Sequence, residues 1–203
     1  LPISLAGVFL NDPLKPIYGH CMVVISVHAG FFAGTCPNAI ACPGNQPAGA
    51  FTTDLTSPAG NTWNTFFGVT GNPKGMVDRV DYPGRTHVKP KEAWAQKVAA
   101  QIAKPASIRL DVVNSYNAAT NSVTVNVTGK LLENLPADYK LQVVLTEDSL
   151  INWQEWYNHT PEFVPNYVHR HVLRDALNST WGENFITDRK STRLNSSHVA
   201  LSR

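Results

Sequence analysis

The sequence predicts an α/β domain followed by an all-β domain that forms an antiparallel β-sandwich. The β-branched run Met22–Val27, with amphipathic helical patterns after it, is typical of an α/β unit. From Ser107 onwards, short alternating segments separated by turn clusters are typical of a sandwich. The pattern changes at Pro105, so we predict domains at residues 1–104 and 105–187.

The first domain begins with the predicted strand and a long loop. Gly19 and Gly30 bound the run Met22–Val27, which is expected to be a strand buried on both faces. Residues Phe31–Asp54 are rich in Gly, Pro and small side chains without periodicity. A loop of this length is uncommon in a compact domain unless it is functional or cross-linked.

Two helices follow. Ser57 as N-cap and Pro58 at the first helical position predict a helix that ends near Gly68, with Trp63, Phe66 and Phe67 as its apolar face. Lys91–Ala103 is predicted to form a second helix that Pro105 ends. Its apolar side chains recur every four residues, at Trp94, Val98 and Ile102.

The second domain contains three segments with β-branched or alternating patterns, Ser107–Val113, Ser122–Thr128 and Lys140–Leu145. Tyr167–Arg174 fits a strand with His169 and His171 on one face, or a helix with Val164, Val168 and Val172 in line. We favour the strand. Nothing that could close the sandwich follows before Asp188, so we expect this domain to be incomplete.

The C-terminal segment Asp188–Arg203 differs from the rest of the chain. Its first eleven residues match the translation of a widely used sequencing adapter, so we predict that the segment is an artefact and disordered. It carries four basic residues and one acidic residue, which leaves thirteen basic and fourteen acidic residues elsewhere. Because the basic excess lies in this segment, nucleic-acid binding is disfavoured.

Five segments, in this order and spacing, resemble a known family: Tyr18–His20, Val23–Gly30, Gly71–Arg79, Leu145–Asp148, and Tyr167–Arg174 with Trp181–Glu183. They are similar to the Omp28-related outer membrane proteins of Bacteroidetes. The resemblance implies a thioredoxin-like domain followed by a β-sandwich-like domain. It also implies a protein that is exported to the outer membrane, the cell surface or the periplasm, and that is often a lipoprotein. It implies no established enzymatic activity.

Two departures from the family pattern lead us to expect a fragment truncated at both ends. Family members commonly resemble thioredoxins in having a Cys-x-x-Cys helix start upstream, and this sequence has no such motif. They also continue past the Trp-Gly-Glu segment with strands, where this chain has Asp188–Arg203. The segment Gly71–Val77 resembles the proline loop of a thioredoxin fold, so we predict a cis peptide bond before Pro73.

The three cysteines allow three single-bridge pairings. In an oxidising envelope, Cys36 and Cys42 are expected to form a disulfide that stiffens the long loop. Free thiols and a reactive pair stay open as alternatives. Cys21 is favoured as a buried free thiol. A catalytic dithiol normally has two intervening residues at a helix N-terminus, and the five residues here fit that geometry poorly.

The spacing of His169 and His171 would place two imidazoles on one strand face, which suits a metal site if a third ligand such as His159 converges. We favour the alternative that these rings form ordinary hydrogen bonds, so no metal or other cofactor is expected. The aromatic residues Trp153, Trp156 and Tyr157 could contact a glycan or a protein. Burial as core cover is the favoured interpretation.

The sequence has no Gly-x-Ser-x-Gly elbow and no Walker or dinucleotide glycine pattern. We therefore predict a non-catalytic binding or structural protein of the cell envelope, associated with the outer membrane. Its expected partner is an envelope protein or glycan, and it would contact the membrane only through an upstream lipid anchor. The alternative is a thiol-disulfide oxidoreductase whose active dithiol lies outside this fragment.

Overall fold

The computed structural model describes residues 22–30, 33–36, 46–135, 139–186 and 194–202. Helices α1 (Pro58–Phe66) and α2 (Trp94–Ile102) are short. The strands are β1 (Lys74–Gly75), β2 (Lys89–Pro90), β3 (Ile108–Asn117), β4 (Ser122–Leu131), β5 (Tyr139–Leu141), β6 (Val144–Glu147), β7 (Leu150–Glu155), β8 (Phe163–His169), β9 (Val172–Ala176), β10 (Glu183–Ile186) and β11 (Leu194–Ser202). No described helix has the length and apolar character needed to cross a membrane.

The strands form small sheets. One sheet has three strands in the order β11-β4-β3, and the pairs are β1-β2, β5-β10, β6-β9 and β7-β8. The β1-β2, β5-β10, β7-β8 and three-stranded pairings are antiparallel. The described chain is therefore mostly β, as predicted for its second half.

The chain divides into two compact units. The first unit contains the described residues up to Ala103 together with Thr146–Asp175, and the second contains Lys104–Leu145 and the described residues from Ala176 onwards. The predicted boundary at 104/105 agrees with this division to within one residue. The assignment of residues 146–175 to the second domain is wrong, because strand β9 bridges to Ser26 and the β7-β8 hairpin packs on Phe51.

The predicted strand Met22–Val27 is wrong as a regular strand buried on both faces. Among the described residues, this segment forms a parallel β-bridge that joins Ser26 to Val172. Two backbone bonds form it, from Ser26 N–H to His171 O (2.8 Å) and from Leu173 N–H to Ser26 O (2.9 Å). Val23 is 90% exposed, so the β-branched run has a solvent-facing side.

Helix α1 forms where its capping residues predict it. The Ser57 hydroxyl accepts a hydrogen bond from Gly60 N–H at 3.1 Å, and Pro58 follows at the first position. A Cβ on Gly60 would lie 2.9 Å from a methyl carbon of Val27. The helix therefore packs directly against the segment that carries the Ser26 bridge.

Helix α2 is preceded by a 3-10 turn, Lys91–Ala93, which together with α2 matches the predicted second helix. Its apolar face buries Trp94 and Val98. The indole N–H of Trp94 donates to Lys89 O at 3.1 Å, and the ring lies so close to Gly75 that a Cβ there would be 3.0 Å away. Trp94 thus joins α2 to the β1-β2 pair.

The core of the second unit is apolar. Val127, Leu131, Leu135, Leu141 and Phe185 form its buried cluster. The Asn178 side chain accepts from Val143 N–H at 3.0 Å and donates to Leu141 O at 2.8 Å. Gly182 has φ +71°, and a Cβ there would lie 2.5 Å from the Leu141 carbonyl oxygen, which explains the glycine of the Trp-Gly-Glu segment.

The prediction that residues 188–203 are disordered is wrong for residues 194–202. Strand β11 pairs with β4 over nine residues, from Leu194 opposite Lys130 to Ser202 opposite Ser122. Strand pairing uses backbone N–H and C=O groups, and an open edge such as that of β4 accepts an extended segment of many sequences. The origin of this segment in a sequencing adapter stays a prediction.

Candidate functional site

The β7-β8 hairpin carries the aromatic residues that the sequence singles out. Trp153 packs inward, with its ring centroid 6.4 Å from that of Phe51. Phe163 on β8 contacts the same ring at 6.2 Å. Trp153 is therefore half-buried against two aromatic rings of its own unit, and its role as core cover between the two domains stays a prediction.

The tip of this hairpin, residues 156–162, has a defined structure. Trp156 N–H donates to Glu162 O at 2.7 Å, and His159 N–H donates to Trp156 O at 3.0 Å. The imidazole of His159 stacks on the indole of Trp156, with centroids 4.3 Å apart and planes 15° apart. Tyr157 is 73% exposed beside them. The tip therefore presents an exposed phenol on an ordered turn.

Ring contacts continue from this tip into the interior. Tyr167 lies 6.3 Å from Trp156 and 4.9 Å from His169, measured between ring centroids. The ring of His169 is in turn 5.4 Å from the ring of His28. A row of five rings thus runs from His159 at the hairpin tip to the buried histidines His169 and His28.

His169, one of these two histidines, is fully buried, with 0% of its surface exposed. Its Nε2 lies 3.2 Å from the Trp153 carbonyl oxygen, which can only accept, so Nε2 carries the proton. Nδ1 then bears the lone pair of the neutral ring, and it has no hydrogen-bond partner in the described part of the chain. Burial lowers the pKa of His169, which keeps the ring neutral.

His28 is 2% exposed, and neither of its ring nitrogens has a hydrogen-bond partner among the described residues. Burial, and then the proximity of His169, lower the pKa of His28 to about 3. Ser26 Oγ and Arg174 Nη1 are likewise buried and unpartnered within the described ranges. The first unit therefore buries several polar side-chain atoms that have no hydrogen-bond partner among the described residues.

The weaker alternative, with His169 and His171 on one strand face, is not what the structure shows. Strand β8 ends at His169 and β9 begins at Val172, and His171 between them has φ +55°, so the two residues do not share the face of one strand. Instead, the Nδ1 atom of His171 lies 4.0 Å from a carboxylate oxygen of Asp148. His159 is not a third ligand either, because its Nδ1 lies 2.8 Å from Pro161 O at the hairpin tip. The described residues contain no group of three or more His, Cys, Asp or Glu arranged to bind a metal.

Of the predicted cysteine pair, only Cys36 lies among the described residues. It is in the disulfide-bonded form, and its backbone N–H donates to Phe51 O at 2.7 Å. Cys42 and Cys21 lie outside the described residues. The pairing of Cys36 with Cys42 therefore stays a prediction.

The Asn72–Pro73 peptide bond is cis, the isomer expected from the sequence. A second cis bond, Thr160–Pro161, lies at the tip of the β7-β8 hairpin and was not foreseen. Sequence reasoning also missed Ser26 and His28. Both are polar residues at alternate positions of an otherwise apolar run. In an extended segment, alternate residues lie on the same face, so this pattern could have indicated that both side chains are buried together.

Comparison of the chain with curated proteins and with solved structures gives no match. Comparison with protein families matches residues 60–201 to the family described as outer membrane protein Omp28. The match covers most of the chain, from helix α1 into strand β11, and supports an outer membrane location. The chain belongs to the Omp28 family of outer membrane proteins.

Proposed function

We propose that this protein is a non-catalytic binding protein of the outer membrane, and that the tip of the β7-β8 hairpin binds another envelope protein. The observation that carries the proposal is the exposed Tyr157 on an ordered aromatic turn. Tyr and Trp are enriched at protein interfaces and among the residues that dominate binding energy. The stack of His159 on Trp156 holds the turn in shape before binding, which lowers the entropic cost of association.

A direct test uses outer membrane vesicles from the cell that makes this protein. Binding of the purified chain is measured by co-sedimentation for the wild type, Tyr157→Ala and the matched control Tyr116→Ala, whose side chain is 63% exposed on β3. We expect Tyr157→Ala to weaken binding about tenfold or more, as for an interface hot spot, and the control to change it less than about twofold. Equal binding of all three chains would contradict the proposal.

Protease treatment of the vesicles distinguishes the two classes of partner. A protein partner would be destroyed, so that binding is lost. Binding that survives the treatment and still depends on Tyr157 would assign the site to a glycan instead.

We also propose that the first unit is a thioredoxin-like domain without thiol-disulfide exchange activity. The parallel bridge of Ser26 to Val172 and the helix packed against that segment support the fold. Exchange needs an attacking thiolate and a resolving thiol. Insulin reduction by dithiothreitol should therefore proceed no faster with the chain than without it. Turnover that disappears in Cys36→Ser would favour the oxidoreductase alternative.

A further inference from the structure

The basic side chains of the first unit are concentrated in one stretch of the chain, residues 74–97. This stretch carries six basic and three acidic residues, which gives it a net charge of +3. The rest of the first unit carries three basic and seven acidic residues. Because the two signs of charge are separated in this way, residues 74–97 are the part of the first unit that attracts a negatively charged partner.

The middle of this stretch is the loop of residues 76–88 between the paired strands β1 and β2. Backbone hydrogen bonds give the loop a defined shape: Tyr82 N–H donates to Arg79 O at 3.2 Å, and Arg85 N–H donates to Tyr82 O at 2.9 Å. Arg79 and Arg85 have positive φ angles of 52° and 57° and exposed side chains. The loop therefore presents two arginines to solvent from an ordered backbone.

The charges of these two arginines are not neutralised within the described part of the chain. Two lysines, Lys89 and Lys97, place their Nζ atoms 3.0 Å and 2.9 Å from the same carboxylate oxygen of Asp81. Among the described residues, Arg79 and Arg85 form no ion pair. Both guanidinium groups are thus available to an anionic partner.

Two aromatic rings lie beside Arg85. Its guanidinium carbon is 5.1 Å from the centre of the Tyr82 ring, which is a cation–π contact. The Tyr82 ring stacks on Phe66 of helix α1, with centroids 6.1 Å apart and planes 15° apart. Phe66 is 51% exposed. Aromatic rings beside Arg or Lys are typical of surfaces that lie at a membrane–water interface, where the ring enters the apolar boundary and the cation meets the headgroups.

We propose that the surface formed by Phe66, Arg79, Tyr82 and Arg85 binds the anionic headgroups of a lipid membrane. The family match supports an outer membrane location, so the protein works beside such a surface. Guanidinium groups suit this partner because they form charge-assisted, often paired, hydrogen bonds to phosphate oxygens. The exposed Phe66 ring adds apolar contact at the boundary of the acyl chains.

The first experiment is co-sedimentation of the purified chain with protein-free vesicles and needs no variant. One set of vesicles is phosphatidylcholine alone, and the other contains about one third phosphatidylglycerol, which gives the surface a negative charge. We expect binding to the anionic vesicles at about 0.05 M NaCl and loss of that binding at about 0.5 M NaCl, because salt screens the attraction. Equal binding to both compositions, or binding to neither, would overturn the proposal.

Substitutions locate the contact on the protein. Arg79→Gln and Arg85→Gln should each weaken binding to the anionic vesicles about fivefold, the contribution expected of one basic residue near such a surface. The matched control Arg109→Gln removes the same charge from β3, where the side chain is 66% exposed, and should change binding less than about twofold. Phe66→Ala should also weaken binding, and Tyr116→Ala is its control. Losses of the same size in the controls would overturn the proposal.

The same vesicles separate this surface from the tip of the β7-β8 hairpin. They contain no protein partner, so Tyr157→Ala should bind them as the wild type does. At about 0.5 M NaCl the lipid contact is screened, so the dependence of outer membrane vesicle binding on Tyr157 can be measured without it. A loss of lipid binding in Tyr157→Ala as large as that in Arg85→Gln would overturn the assignment to residues 74–97 and place the lipid contact at the tip.

Discussion

The two units of this protein differ in the polar content of their buried residues. In the second unit the described core is the apolar cluster of Val127, Leu131, Leu135, Leu141 and Phe185. In the first unit the buried set includes six polar residues, Ser26, His28, Ser57, His87, Gln154 and His169. Among the described residues of the second unit, no polar side chain is buried to this extent.

The two kinds of core contribute to stability in different ways. An apolar cluster stabilises a fold through area removed from water, and its contribution is nearly independent of pH. A buried imidazole is tolerated only while it is neutral, so the contribution of such a core to stability depends on pH. The stability of the first unit should therefore respond to pH more than that of the second.

The largest expected effect is that acid destabilises the first unit. The pKa of His28 falls to about 3 on folding, whereas the unfolded chain takes up a proton near pH 6.5. Between these values the unfolded state binds more protons, so stability is complete above pH 6.5 and falls by about 1.4 kcal/mol per pH unit towards pH 3. The lowered pKa of His169 acts in the same direction.

Urea denaturation at pH 7 and pH 4 measures this effect. Trp181 is the one tryptophan of the second unit, so fluorescence of a Trp181→Phe chain reports on the first unit. We expect the free energy of unfolding to drop by about 3 kcal/mol at pH 4, and by much less in a His28→Gln background. An unchanged free energy would show that the imidazoles are not buried in solution.

The second effect tests the apolar core. Leu131 is 1% exposed, so Leu131→Ala should lower the free energy of unfolding by about 3 kcal/mol through lost burial and a residual cavity. Its neighbour Leu132 is 50% exposed, and Leu132→Ala should cost less than about 0.5 kcal/mol. Circular dichroism in urea gives both values. Similar costs at the two positions would show that β4 does not face this core.

A smaller effect concerns the N-cap of α1. Ser57→Ala removes the acceptor for Gly60 N–H and should cost about 1 kcal/mol. Thr65→Ala, which removes an exposed hydroxyl of the same helix, should stay within about 0.5 kcal/mol of the wild type. Thermal unfolding of the three chains decides between a capped helix and one held by packing alone.

The smallest effect is expected on β3. Arg109 and Asp111 form an ion pair at 2.9 Å with side chains 66% and 54% exposed. Solvent screens such a pair, so Asp111→Ala should change the free energy of unfolding by less than about 0.5 kcal/mol. A loss above 1 kcal/mol would mean that this strand is covered in solution.

Local signals in the sequence predicted the local parts of the fold. The capping residues Ser57 and Pro58 and the four-residue spacing from Trp94 correctly predicted two helices, and alternation correctly predicted β3 and β4. These features depend on neighbours a few residues away, which a sequence displays directly.

Long-range pairings decided what the sequence could not show. The parallel bridge of Ser26 to Val172 moves residues 146–175 into the first unit, and it brings His28 to His169. The positive φ of His171 breaks the predicted strand and separates His169 from His171. Periodicity shows neither contact partners nor a single left-handed residue, so the contact of His28 with His169 was not predicted.

Strand β3 has a consequence for how this protein behaves at high concentration. All of its residues except Ile108 are exposed, and it forms the outer strand of the described three-stranded sheet. Leu110, Val112, Val113 and Tyr116 are each at least half exposed along it. An apolar outer strand with unpaired backbone groups can add strands from other molecules, and charged side chains oppose this self-association. The charges of Arg109 and Asp111 therefore contribute little to folding, and we expect their removal to increase self-association in a concentrated sample.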